Sequence, residues 1–177
     1  MKRRTAELYS KALFEVLPEQ RRAEALAGLK RFEELFRSSL ELRHFLHNPS
    51  FRLSDRLAVV EAVAGRLGMA SHETNLLKLL VEHRRLGIMP ELVESFEKRL
   101  NAALGIEVAE VAAPEAISAR TLDELASSLG DLIGKKVECR VVSDPGLICG
   151  VKVKVGSYVI DASLRGQLQR LAKTLAA

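Results

Sequence analysis

Asp144-Pro-Gly-Leu-Ile-Cys-Gly-Val-Lys-Val-Lys-Val-Gly-Ser-Tyr-Val-Ile-Asp-Ala-Ser-Leu-Arg-Gly-Gln-Leu-Gln-Arg-Leu171 is the stretch from which the fold is read. Asp144 to Gly146 predicts a turn: Pro145 fixes its own φ, and Gly146 permits a positive one. Val151, Val153 and Val155 alternate with Lys152 and Lys154, the period of a strand with one buried face. Gly156-Ser157 suits a tight hairpin turn that returns Tyr158-Val159-Ile160 as the partner strand. Asp161 or Ser163 then caps a final helix with Leu164, Leu168, Leu171 and Leu175 on its apolar side. Nothing in this scaffold is an obvious reactive group.

The pattern upstream is strand, helix, strand. Ile106 to Ala112 is strand-like, and Leu122, Leu125, Leu129 and Leu132 have helical spacing ended at Gly134. Val137, Cys139 and Val141 alternate with Glu138 and Arg140 as a half-buried strand. Residues 1–105 read as helices. The first carries Leu8, Tyr9, Ala12, Leu13, Val16 and Leu17 and stops near Pro18; the second carries Leu26, Leu29, Phe32 and Phe36. A short third ends before Asn48-Pro49. Ser54 caps a fourth, closed by Gly68; Ser71 caps a fifth, ended by Gly87; Pro90 opens a sixth, ended by Gly105. The expected fold is α+β: an N-terminal six-helix bundle over 1–105, then a small mixed β-sheet domain with covering helices over 106–177.

Composition narrows the function classes. The 177 residues are 47% hydrophobic and carry a net charge of +4, enough apolar material for a packed core. Aromatics are only 5%, with no tryptophan, so a base-stacking surface has little to be built from. No apolar run reaches the length of a membrane span, and the amphipathic start is not a secretion signal. Cys139 and Cys149 are too few for a disulfide framework; they read as free thiols, or as a single bridge if their strands align. His44, His47, His72 and His83 have no zinc-binding spacing with either cysteine, and no glycine loop cradles phosphate. No metal or cofactor is expected.

Two helices carry more apolar surface than a bundle normally asks of them. At about 100° per residue, Leu76, Leu77, Leu79, Leu80 and Val81 span roughly 200°, where a surface helix needs about 100°. The first helix spreads its apolar set over about 180°. Either both are central helices, buried on two sides, or they flank a groove for a partner's amphipathic helix. Arg84 and Arg85 suit a helix C-terminus or a partner contact. Lys152 and Lys154 read as solubilising charges, and Arg165 and Arg170 as solvated or as pairing with a second chain.

The 144–171 stretch resembles the signature of the delta subunit of bacterial and chloroplast F-type ATP synthases, the family of the mitochondrial oligomycin-sensitivity-conferring protein. That pattern is a turn, Leu-Ile-Gly-Gly, a valine-rich hairpin, Ile-Asp-Gly-Ser and a basic leucine helix. Leu147-Ile148, Gly150, Val159-Ile160-Asp161, Ser163, Arg165, Gln167-Leu168 and Leu171 fit it. Cys149 replaces the first paired glycine and Ala162 the glycine before Ser163, which implies that residue 149 need not take a positive φ. Tyr9, Ala12-Leu13-Phe14, Asn48-Pro49, Leu79 to Glu82 and Arg84 to Leu86 extend the resemblance, in order, over nearly the whole chain.

The resemblance implies a non-catalytic stator subunit of the peripheral stalk, which links the catalytic head to the stalk b subunits so that rotation is coupled to ATP synthesis and ion transport. It implies a head contact, the alpha subunit's N-terminal helix, in a groove at Tyr9, Ala12, Leu13, Leu77, Leu80, Val81 and Arg85. The b subunits fall to the C-terminal domain, with Gly150, Asp161, Ser163 and Leu168 as its structural signature. The location implied is peripheral, on the cytoplasmic face of a bacterial cell membrane in preference to a chloroplast thylakoid. The rival reading, a small basic nucleic-acid-binding protein, is weakened by the scarce aromatics and by the lack of a Lys/Arg cluster on any one strand. An enzyme is disfavoured for want of a reactive constellation.

Overall fold

The computed structural model describes residues 2–114, 117–147, 149–156, 158–164 and 166–168. Ile148, Ser157, Arg165, Arg170, Leu171 and Leu175, all used above, lie outside the described residues. The chain divides into two compact units, Met1–Leu100 and Asn101–Ala177. It is mixed α and β, mostly helical, with one four-stranded sheet among the described residues.

The first unit is built from α1 (Lys2–Val16), α2 (Glu19–Ser38), α3 (Leu40–His47), α4 (Leu53–Arg66), α5 (Ser71–Glu82), a single 3-10 turn at Leu86–Ile88, and α6 (Met89–Ala103), whose last residues pass into the second unit. Leu29 and Phe32 of α2, Val60 of α4, Leu77 and Leu80 of α5, and Leu92 and Phe96 of α6 are fully enclosed in one core. Phe14 packs edge-on against Phe96 at 5.6 Å between ring centroids, and the Arg22 guanidinium lies 4.0 Å above the Phe14 ring.

Several helix ends depart from the sequence reading. Ser54 and Ser71 are not caps: α4 and α5 begin after Arg52 and Ala70, whose side chains make no cap bond. Both serines fall inside the first turn, where their hydroxyls no longer face the open amides; Ser54 Oγ donates to Asp55 Oδ1 instead. Side chains that do cap include Ser39, accepting from Leu42 N, and Ser118, accepting from Thr121 N. Gly87 does not end α5. That helix closes four residues after Leu79, with Arg85 N donating to Leu80 O, Arg84 N to Val81 O, and Arg84 at φ 55°. This is a Schellman closure with arginine in the left-handed position that glycine usually takes, at about 1–2 kcal/mol of backbone strain.

The second unit runs β1 (Ile106–Ala113), α7 (Ala119–Ile133), β2 (Lys136–Ser143), β3 (Lys152–Val155), β4 (Tyr158–Asp161). Strand order is β2-β1-β3-β4, with β1 and β2 parallel and the other neighbours antiparallel. The crossover helix α7 covers one face, and Leu129 joins Ala109, Val111, Val137, Val153 and Val155 in a second core. Gly134 ends α7 in the left-handed region at φ 70°. The turn at Asp144–Gly146 does not use the positive φ that Gly146 permits; the Asp144 carboxylate accepts the Gly146 N–H at 2.9 Å.

Candidate functional site

Two surfaces carry the residues singled out from sequence. On the first, α1 and α5 lie in one bundle, and Arg85 Nη1 donates to Tyr9 Oη at 3.2 Å, tying α1 to the chain just past α5. The Schellman closure delivers this contact: it turns the backbone at Arg84 and sets Arg85 beside α1. The burial pattern corrects the groove lining. Leu13, Leu77, Leu80 and Val81 are buried in the bundle's own core, so the wide apolar arc of α5 mostly reflects a helix enclosed by several neighbours. Only Leu79 of that arc is exposed.

On α1 the arc is not spent in the same way. Leu8 is 63% exposed and Val16 60%, and Ala12 between them also faces solvent. These positions are four residues apart, so they line a single stripe about two turns long. Tyr9, half-buried, borders that stripe and brings the exposed Arg85 to its edge. The face is thus an apolar strip with a cation and a phenol at its margin, a docking geometry rather than a reactive one.

The second surface is the signature segment. Gly150, at φ 87°, sits so close to the chain that a Cβ there would meet Ala162 O at 2.5 Å and Ser163 Cα at 2.9 Å. Backbone bonds flank this contact, Ala162 N to Val151 O and Leu164 N to Cys149 O. Asp161 Oδ1 accepts from Ser163 N at 3.0 Å and from Ser163 Oγ at 2.6 Å, and Ser163 Oγ in turn accepts from Gly166 N at 3.1 Å. Asp161 and Ser163 therefore share the cap. Gly166 belongs with them, since a Cβ there would press on the Asp161 carboxylate at 2.7 Å. Its place in the cap is not visible in the sequence, because a glycine near a helix start resembles any other turn residue. Leu168 of the signature is exposed, as is Leu164.

Chemistry is sparse. Among the described residues no three His, Cys, Asp or Glu side chains are grouped to hold a metal, and no helix is long and apolar enough to cross a membrane. Both cysteines are free. Burial pushes the Cys139 thiol above its usual range, and the Asp123 carboxylate adds to the shift. That thiol is held in its unreactive form.

A family model described as ATP synthase delta (OSCP) subunit matches residues 5–175. The chain belongs to this family. An ATP synthase subunit delta of Methylobacterium nodulans is 35% identical over 164 residues, 92% of this chain and 86% of the relative. That of Rhizobium etli is also 35% identical, over 171 residues, 96% of this chain and 91% of the relative. The fold matches a chain in a cryo-EM structure of the Toxoplasma gondii mitochondrial ATP synthase hexamer, with a TM-score of 0.69, 24% identity and 97% of both chains covered. Membership makes the protein a structural, non-catalytic subunit of an F-type ATP synthase, part of its peripheral stalk. The nucleic-acid-binding alternative gains nothing from these matches.

Proposed function

We propose that this chain is a two-ended tether. Its first unit, as a six-helix bundle, receives the N-terminal helix of an alpha subunit on the α1 stripe of Leu8, Ala12 and Val16, bordered by Tyr9 and Arg85. Its second unit holds the stalk b chains, and the protein works at the cytoplasmic face of a bacterial membrane without spanning it. The two ends, taken as 1–105 and 106–177, act as separate domains. The rotary machine exerts torque on its head, and a connector gripping head and stalk at once gains avidity from having both contacts on one chain.

One observation carries the reading: two large apolar side chains, Leu8 and Val16, face water along a single α1 stripe. Binding of a synthetic alpha N-terminal peptide to the complete chain tests it. Ala12→Glu places a charge in the middle of an exposed stripe, so it abolishes binding and leaves the bundle folded. Val81→Asp does not serve here, because Val81 is buried and the change unfolds the bundle. Undiminished binding by Ala12→Glu rejects the stripe.

A further inference from the structure

The Arg85 side chain has no hydrogen-bonding duty at the end of its own helix. The last carbonyls of α5 are taken by backbone amides: His83 N donates to Leu79 O, Arg85 N to Leu80 O at 2.7 Å, and Arg84 N to Val81 O. A guanidinium is not needed to satisfy them. The Arg85 side chain reaches instead to another helix, where Nη1 donates to Tyr9 Oη at 3.2 Å. Its backbone is held on both sides, by the left-handed closure at Arg84 before it and by buried Leu86 after it. The chemistry of the pair is one-sided. A guanidinium carries only donors. Tyr9 Oη accepts from Arg85, so its own proton is left to donate, and among the described residues it finds no acceptor. Arg85 forms no ion pair among the described residues; Glu82, exposed three residues earlier, makes none with it.

We propose that Arg85 and Tyr9 form a carboxylate clamp for an Asp or Glu side chain of the docked alpha helix. One carboxylate oxygen accepts from the guanidinium and the other from the Tyr9 hydroxyl. Two adjacent donors, one of them charged, match the two oxygens of a carboxylate and suit a neutral side chain less well. The clamp lies towards one end of the stripe. Tyr9 is next to Leu8 but seven residues from Val16, about 10 Å along the helix. The stripe by itself, with one large side chain on either side of Ala12, holds a helix about equally well in both directions. The clamp removes that equivalence, because the partner's carboxylate reaches it one way only. Arg85 is thus a specificity-determining residue and not a source of apolar area. The strain at Arg84 then has a use: it fixes the backbone from which Arg85 projects, so little freedom is lost when the carboxylate arrives.

The inference rests on the reading that α1 receives the alpha helix, and the experiment separates the two. Binding to the complete chain is measured by titration calorimetry for the alpha N-terminal peptide, and for versions in which each Asp or Glu in turn becomes Lys. Arg85→Glu should weaken the unmodified peptide about tenfold or more, with the deficit shrinking as salt is raised. One Lys-substituted peptide should bind Arg85→Glu better than the unmodified peptide does, while binding the parent worse. Tyr9→Phe, which keeps the ring and loses one donor, should raise Kd about threefold. Arg85→Gln should fall between the parent and Arg85→Glu at the parent's denaturation midpoint, and it carries the test if Arg85→Glu fails to fold. Parent-like binding by either Arg85 variant, or an equal loss against every peptide whatever its charges, overturns the clamp and leaves the stripe standing. So does rescue spread evenly over the acidic positions, which marks a diffuse field. If the parent does not bind the unmodified peptide, stripe and clamp fall together.

Discussion

Truncating the α1 stripe in the double variant Leu8→Ala/Val16→Ala should weaken capture of the alpha N-terminal peptide without weakening the fold. Fully burying a leucine or valine side chain contributes about 1.5–3 kcal/mol. Leu8 and Val16 keep 63% and 60% of their surface in water, so most of that gain is still available to a partner. Scaling by the exposed share gives about 1–1.8 kcal/mol per residue, and alanine retains a small part of it. The double variant should therefore lose about 1.4–2.8 kcal/mol, a tenfold to hundredfold rise in Kd. Isothermal titration with the complete chain reads this directly. Denaturant unfolding should show a change within about 0.5 kcal/mol, as for other surface substitutions. Equal Kd values for parent and variant would refute the reasoning, and so would a loss of affinity matched by a loss of stability.

Other outcomes follow from local geometry. Arg84→Gly relieves the left-handed strain at the end of α5 and should raise bundle stability by about 1 kcal/mol in denaturant unfolding. Gly150→Ala drives a methyl into Ala162 and Ser163 from an already unfavourable φ, and should cost roughly 2–4 kcal/mol, visible as a lowered thermal midpoint. Alkylation by iodoacetamide should reach exposed Cys149 first. Cys139, its thiol held above the usual range, should lag and catch up only as pH rises, with mass mapping after a timed quench as the readout.

The parts of the fold legible in sequence were those set by residues with one strong preference. Gly68, Gly105 and Gly134 all take the left-handed conformation at an element's end, which glycine adopts cheaply. The Val-Lys-Val-Lys-Val alternation specified β3 and its buried face in the same way. Arg84 was legible as a residue at a helix C-terminus, but its left-handed φ was not, because arginine has no such preference. Ser54 and Ser71 misled because serine suits both the cap and the first turn, and here α4 and α5 begin after Arg52 and Ala70. The docking stripe was half legible. Helical spacing counts apolar positions, but it does not say how many neighbours a helix has. Thus Leu77, Leu80 and Val81 were assigned to a partner when the bundle itself encloses them, while Leu8 and Val16 remained in water.

The Gly150 contact has a mechanical consequence. Residues 149–164 form a hairpin whose two free ends lie at Cys149 and Leu164, joined there by the bond from Leu164 N to Cys149 O. Tension applied across a hairpin tears it from its mouth, one bond at a time. Here the mouth is the most heavily fastened place: two backbone bonds, a glycine pressed against the opposite strand, and a carboxylate-hydroxyl latch all lie within its last few residues. A segment fastened in this way gives nothing until it breaks, which is the behaviour wanted of a rivet and not of a spring.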